Sequence, residues 1–489
     1  MSTSTLLRAK KAALAKLYNR TDAGQAEYLA DHFDLSNFVF DCPRQRWMHW
    51  CESDSGWLAD QDAFDAIWVI AIAAARQRYQ DAPSRYSDTK AQMAEAAFAL
   101  RAEKVELIEK TLKQLSKLPQ VRYGGEWDDQ VDLIGTPGGK VVEIRPTVPT
   151  LRDARPEDHV TRRTGVAVDP YMATPNIDRF LLDIMGDEPL LVDALVRAIG
   201  YSLTGSVKYQ VFWLLYGTGS NGKSVLLNML LKLAGDYGYN TPFSTFEKQR
   251  NTGTQSNDAA HLYGRRFVMA AETGAATTLR EERLKAWSAG DPVTCRFLYQ
   301  RAEFTYYSQM HIWLAVNHKP NVVDDSHGFW RRAIVVPFTV MFGPNSVKPA
   351  DPDLLAKLEP ELPGFLWKAL RAAADVSAHG LQTPDVWLLA TLEYKEENDD
   401  FGAFLDDACD VTEPAARTSP AELFDRYGAW CVDEHVPRAD QLTKKTFSIK
   451  LRERGYPGVK LNGKRYITGI KLLVAAYDPV AGAAASTFF

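Results

Sequence analysis

Eight consecutive residues carry the most specific chemistry in the sequence: Gly217, Thr218, Gly219, Ser220, Asn221, Gly222, Lys223 and Ser224. They match GxxxxGK[ST], a pattern whose glycines let main-chain N–H groups curl around phosphates. In such a loop the lysine bridges the β and γ phosphates and the hydroxyl holds Mg²⁺. Context separates a working loop from a chance match. Here residues 211–216 form an apolar run that reads as a strand leading into the loop. Residues 225–233 read as a helix stopped by Gly235, with its N-terminus aimed at the phosphates. The spacing predicts a nucleoside triphosphate site, with ATP and Mg²⁺ as the expected ligands.

Such a site also needs a carboxylate at a neighbouring strand tip, to act on Mg²⁺ or on the attacking water. Residues 266–272 supply one: an apolar stretch ending in Glu272, which with Ser224 forms the expected metal pair. A third apolar run, 311–316, ends in Asn317, suited to sensing the γ-phosphate. Beyond it, Gly328-Phe329-Trp330-Arg331-Arg332 precedes a further strand at 333–336. One of these two arginines is the candidate for a finger reaching a neighbouring subunit's γ-phosphate. Lys223, Glu272, Asn317, Arg331 and Arg332 are therefore the candidate catalytic residues. The set lies within residues 217–332, too compact for a motor with two tandem nucleotide-binding lobes. Sites completed between subunits, and hence a ring, are expected.

The elements that must position these groups follow from the hydrophobic pattern. Residues 185–345 alternate apolar strands with helical segments, the pattern of an α/β nucleotide-binding core. Upstream, residues 36–70 hold a cluster of large rings, including Trp47, Trp50 and Trp57, that reads as a small core. Turn signals such as Pro137-Gly138-Gly139 separate short β-type runs over 120–170. The chain is 46% hydrophobic and 24% charged, which excludes a disordered or fibrous class. Its net charge of −5 confines any nucleic-acid binding to local patches. The five cysteines show no CxxC pair, which argues against structural zinc and suits a reducing compartment. The longest apolar run, 66–75, is too short to cross a bilayer, and no signal-peptide core is read at the N-terminus. A cytoplasmic protein of a bacterial host cell, without membrane contact, is expected.

The sequence at this point resembles the phage and plasmid primase–helicase family, whose C-terminal motor is of the superfamily 3 type. The likeness rests on residues 217–224 with their flanks and on Glu272 followed by residues 284–299. It rests too on Asn317-His318-Lys319-Pro320 with 328–338, and on the upstream segments 21–26, 40–57 and 131–170. Segment 284–299 is similar to the family's extra motif, which leads into a β-hairpin projecting into the ring channel. The resemblance implies ATP-driven unwinding of DNA by a hexamer moving 3′ to 5′ along one strand. Relatives of this kind carry a primase domain upstream; none is expected in this chain, so a separate primase is the expected partner. Many motors of this type end the acid strand in two adjacent acids, whereas Ala271 precedes Glu272 here. Whether Glu272 acts alone or with Asp291 stays open, as does the choice between Arg331 and Arg332.

Two regions are candidate DNA contacts. The expected hairpin offers Arg296, Tyr299 and Arg301, cationic and aromatic groups suited to phosphates and stacked bases. Residues 437–471 contain ten basic and two acidic residues. Within them, 442–454 reads as a helix and 459–467 as a hairpin turning at Asn462-Gly463. Helix plus basic hairpin predicts a winged helix, with Lys444, Lys445, Lys464 and Arg465 on phosphates. The expected fold class is thus α/β. An N-terminal α+β accessory region (1–175) precedes a central AAA+-like P-loop ATPase core (176–345). A helical connector (346–397), a C-terminal winged-helix domain (398–475) and a tail (476–489) follow. Single-stranded and forked DNA are the expected substrates. The competing reading is an origin-binding initiator that uses ATP only to assemble on DNA. A DNA-packaging or helicase-loading ATPase gives segment 284–299 no purpose.

Overall fold

The computed structural model describes residues 16–51, 56–59, 61–248, 255–272, 277–296, 303–322, 327–343, 346, 348–436, 438 and 441–473. It is a mixed α/β chain. Helix α1 (Asp22–His32), capped by Thr21, opens the N-terminal part. Strands β1 (Phe38–Asp41), β2 (Arg46–Cys51) and β3 (Gly56–Leu58) follow, then helices α2 (Gln61–Arg85), α3 (Thr89–Ala102) and α4 (Val105–Leu115). With β4 (Arg122–Tyr123) the strands form a sheet in the order β3-β2-β1-β4. Trp50 and Trp57 meet edge to face beneath it. Among the described residues of this region, buried charge is paired. Arg78 and Glu95, both inaccessible, approach to 2.6 Å, and Arg78 also bonds the carbonyls of Tyr18 and Asn19.

A three-stranded meander, β5 (Leu133–Thr136), β6 (Lys140–Glu143) and β7 (Thr150–Asp153), connects this part to the centre. Helices α5 (Pro175–Ile184) and α6 (Pro189–Leu203) lead into β8 (Phe212–Tyr216) and α7 (Lys223–Ala234). Next come β9 (Gly238–Asn240), α8 (Gln255–His261), β10 (Phe267–Ala271) and α9 (Glu281–Ala289). The hairpin β11 (Pro292–Cys295) and β12 (Phe304–Tyr307) precedes β13 (His311–Val316), α10 (His327–Trp330) and β14 (Ala333–Pro337). Five of these strands make one fully parallel sheet in the order β14-β8-β13-β10-β9.

Both faces of that sheet are covered, which is why its strands read as unbroken apolar runs. Side chains alternate between two cores: Trp213 and Leu215 face one, Phe212 and Leu214 the other. Helices α5, α6 and α7 cover the first face, joined by α11 (Leu354–Leu358) and α12 (Leu362–His379). Trp213 stacks on Trp313 at 4.8 Å within it. The buried guanidinium of Arg266 ties the meander to this sheet, donating to the Leu133 carbonyl at 3.0 Å and the Leu203 carbonyl at 3.3 Å.

After α13 (Asp385–Glu397), a smaller core gathers α14 (Asp400–Ala408), α15 (Pro420–Asp433) and α16 (Lys444–Glu453). Strands β15 (Cys409–Asp410), β16 (Arg417–Thr418), β17 (Gly458–Leu461), β18 (Lys464–Thr468) and β19 (Lys471–Leu472) flank them. Among the described residues, no helix is long and apolar enough to cross a membrane.

His311, at the start of β13, is fully buried against Tyr201, and its Nε2 has no hydrogen-bond partner among the described residues. Burial pushes its pKa down to about 3, and the nearby Arg266 acts in the same direction. The unfolded chain therefore takes up a proton here that the folded chain refuses. The contribution to stability is full above an unfolded pKa of about 6.5 and is lost as pH falls from there towards 3, with a slope of up to about 1.4 kcal/mol per pH unit. Melting temperatures from pH 7 to pH 4 should fall less steeply for His311→Phe than for the wild type. Parallel curves would show that other groups set the acid sensitivity.

Candidate functional site

The loop of residues 217–224 joins β8 to α7 and is shaped by contacts that the sequence specifies. Gly222 takes a left-handed conformation (φ 81°), and a Cβ there would lie 2.6 Å from Ile184 Cγ2, so only glycine fits. At Gly217 a Cβ would come within 2.7 Å of the Phe338 carbonyl oxygen. The amide of Asn221 is buried and works as a clamp. Its Oδ1 accepts from Gly219 N at 2.7 Å, and its Nδ2 donates to the Val340 carbonyl at 2.8 Å. Phe342 N donates to the Ser220 carbonyl at 2.8 Å. The segment leaving β14 therefore braces the loop at two points.

Lys223 begins α7 and is 6% exposed; its Nζ donates to the Gly217 carbonyl at 2.6 Å, and burial holds its pKa below the usual lysine range. An ammonium in such a place favours a nearby anion. No side chain caps the N-terminus of α7, so its first N–H groups remain for a ligand. Ser224 is exposed beside it. The remaining loop residues, Thr218 among them, complete the same turn.

All five strands run the same way, so their C-terminal ends share one edge, and the topology brings three of the candidate residues to it. Gly217 N donates to the Val316 carbonyl and Glu272 N to the Ala315 carbonyl. Strand β13, which ends just before Asn317, is inserted between the loop strand β8 and the acid strand β10. At about 4.8 Å per strand, the loop and Glu272 leave their strands roughly 10 Å apart, with room for a phosphate and a water between. The Glu272 carboxylate accepts from Thr277 Oγ1 at 2.9 Å and from the main-chain N–H groups of Asn317 and His318 at 3.3 and 3.4 Å. Glu272 is thereby oriented by the Asn317 backbone. Nothing in the sequence points to Thr277, because a hydroxyl five residues past an acid is ordinary loop composition. Hydroxyl and carboxylate oxygens of the Ser224–Glu272 kind form a hard donor set that suits Mg²⁺.

The arginines lie elsewhere. Arg331 and Arg332 immediately precede β14, and the Arg332 carbonyl accepts from Phe212 N at the start of β8. They sit at the opposite edge of the sheet from the loop, a strand length of about 17 Å away. Both donate to Gln210 Oε1, at 3.2 and 3.0 Å, and Arg331 is exposed. Burial lowers the Arg332 pKa, and the adjacent Arg331 repels it further. Asp291 is at this far edge as well, where its carbonyl accepts from Ser308 N just ahead of β13. It cannot assist Glu272 of the same chain.

Of the candidate DNA contacts, Tyr299 and Arg301 lie outside the described residues. Arg296 directly follows β11 and is exposed. The hairpin base is anchored by Tyr306, whose hydroxyl donates to the Ala259 carbonyl at 2.7 Å. In the C-terminal part, Thr443 caps α16 and leaves Lys444 and Lys445 exposed in its first turn. Strands β17 and β18 turn through Asn462 (φ 48°) and Gly463 (φ 79°), placing Lys464 and Arg465 exposed just past the turn. All four cations face solvent. Among the described residues, no group of three or more His, Cys, Asp or Glu could hold a metal ion.

Two family models match the chain. One, described as D5 N terminal like, covers residues 26–186. The other, a family of unknown function (DUF5906), covers residues 215–332 and so takes in the loop, Glu272, Asn317 and both arginines. "Putative helicase L207/L206" of Acanthamoeba polyphaga mimivirus is 27% identical over 57% of this chain. "Putative primase C962R" of African swine fever virus is 26% identical over 42% of it. Together the matches fit a phage-type primase–helicase family. The matched regions span only 31% of the mimivirus protein and 22% of the swine fever virus protein. A solved apo structure of the NrS-1 C terminal region (305-718) superimposes with a TM-score of 0.46 at 12% identity, covering 92% of this chain and 99% of that one.

Proposed function

We propose that this chain is an ATP-driven DNA helicase motor of the superfamily 3 type, working in replication as a ring of about six copies and moving 3′ to 5′. The observation that carries this reading is the shared sheet edge: residues 217–224, Glu272 and Asn317 converge there, with the Asn317 strand inserted between the other two. The viral relatives named as helicases and primases support a replication enzyme. In this reading the central part is an AAA+-like P-loop ATPase and the C-terminal part a winged helix that holds DNA through Lys444, Lys445, Lys464 and Arg465.

ATP would bind with its β and γ phosphates on the loop N–H groups and Lys223, where Ser224 and Glu272 would hold Mg²⁺, which would supply charge neutralisation when bound. Glu272 orients a water and takes its proton as the water oxygen attacks the γ-phosphorus. The bond to the β–γ bridging oxygen breaks, and ADP leaves. Asn317 contacts the γ-phosphate, so its loss is felt along β13. Arg331 or Arg332 completes a neighbour's site, since neither reaches its own.

The test is strand release from forked DNA carrying a single-stranded tail of each polarity. ATP-dependent release is expected with a 3′ tail and not with a 5′ tail. An assembly-only initiator would hydrolyse slowly and release neither strand.

A further inference from the structure

The short stretch just past Asn317 leaves the nucleotide edge of the sheet and is gripped from several sides. Within it, Lys319 donates through Nζ to both carboxylate oxygens of Glu397, each at 2.7 Å. The same ammonium lies over the ring of Tyr216, 5.2 Å from its centroid, and over that of Tyr394 at 5.8 Å. Tyr216 ends β8, directly before Gly217, whereas Tyr394 and Glu397 belong to the last turn of α13. The Tyr394 hydroxyl donates to the Pro320 carbonyl. Asn321 N donates to the carbonyl of Thr277 at 2.8 Å, and the Thr277 hydroxyl is the one that holds Glu272. One cation thus ties the loop strand, the Asn317 segment and α13 together.

Helix α13 leads straight into the C-terminal part. Asn398, its C-cap, accepts from Val322 N at 3.0 Å through Oδ1. Asp399 caps α14 by accepting from Gly402 N at 2.9 Å, and it pairs with Arg454 at the end of α16. The central and C-terminal parts have separate apolar cores. Between them opens a cavity of about 240 Å³, lined by Val322, Asn398, Phe401, Tyr427 and Leu442 among others. Parts that meet through polar bonds over a cavity, with no shared core, are free to shift relative to each other. We infer that the Lys319–Glu397 pair couples the nucleotide at the sheet edge to the C-terminal part, so that occupancy of the phosphate site changes the hold of Lys444, Lys445, Lys464 and Arg465 on a DNA backbone. A γ-phosphate drawn to Asn317 shifts the segment that carries Lys319, and the ion pair passes that shift to the end of α13. Glu397 is a positioning residue, since it touches neither nucleotide nor DNA. By reciprocity, DNA on the C-terminal part changes nucleotide affinity by the same factor. The inference rests on the ATPase and DNA-binding readings above.

The test uses the full chain and a fluorescent single-stranded oligonucleotide, whose anisotropy is read with and without a saturating non-hydrolysable ATP analogue. For the wild type the two affinities are expected to differ at least about fivefold, the low end of a typical coupling between sites. Glu397→Gln keeps the shape of a half-exposed side chain and removes its charge. Its ratio is expected to fall below about twofold, with analogue affinity unchanged and the fold checked by circular dichroism. Glu397→Asp keeps the charge and should hold most of the wild-type ratio, a separation that lost packing alone does not produce. Lys464→Glu/Arg465→Glu should lower the ratio as Glu397→Gln does, because the part that reads the nucleotide has lost cations. An unchanged ratio in folded Glu397→Gln protein overturns the inference, as does Glu397→Asp falling as far as Glu397→Gln. A ratio that persists without the C-terminal cations, or a wild-type ratio near one, overturns it too. A wild type that does not bind the analogue at all would remove the ATPase reading, and the inference with it.

Discussion

Replacing Lys223 with alanine is expected to reduce ATP turnover by at least about two to three orders of magnitude, the usual cost of removing one preorganised charge from a developing anion. The position makes the result interpretable. Lys223 is almost fully buried, is the first residue of α7, and forms no ion pair among the described residues. Alanine is a strong helix former, and deleting a cation whose charged form burial already penalises leaves no charge stranded. The melting temperature should therefore stay near that of the wild type while phosphate release collapses. Turnover that survives in the folded variant would mean the loop does not hold the reacting phosphates.

A loss at least as large is expected from Arg331→Ala/Arg332→Ala, on the order of 10³ to 10⁵ in rate if the pair acts as an arginine finger. Geometry gives this variant a property that Lys223→Ala lacks. The arginines and the loop occupy opposite edges of one sheet, so each single-site protein retains the half that the other has lost. Mixed assemblies of the two inactive proteins should contain interfaces at which an intact loop meets intact arginines, and part of the turnover should return. Assemblies shown to be mixed by mass, yet inactive at every ratio, would rule out action between copies.

The parallel sheet was legible in the sequence because both of its faces are buried. An apolar run of five or six residues ending in glycine, acid or amide has few other meanings, and Phe212–Tyr216, Phe267–Ala271 and His311–Val316 coincide with such runs. The loop was equally legible, since its glycines answer to local backbone geometry. Strand order was not. That β13 lies between β8 and β10 depends on long-range pairing, with no local trace in the sequence. For the same reason the sequence could not place Asp291 at the far edge, or show that Gln210 holds both arginines. Strand β9, only three residues long, carries too little pattern to be seen. The bracing of the loop by Val340 and Phe342 was also invisible, because it uses main-chain atoms that any residue could supply.

That brace has a mechanical corollary. Strand β14 carries the guanidinium pair at its entrance, and the segment leaving it grips Ser220 and Asn221. An extended strand hydrogen-bonded along its length scarcely stretches, so a pull on Arg332 along the strand axis has two outlets. It is absorbed within the few residues 338–342, or it reaches the chain's own phosphate cradle.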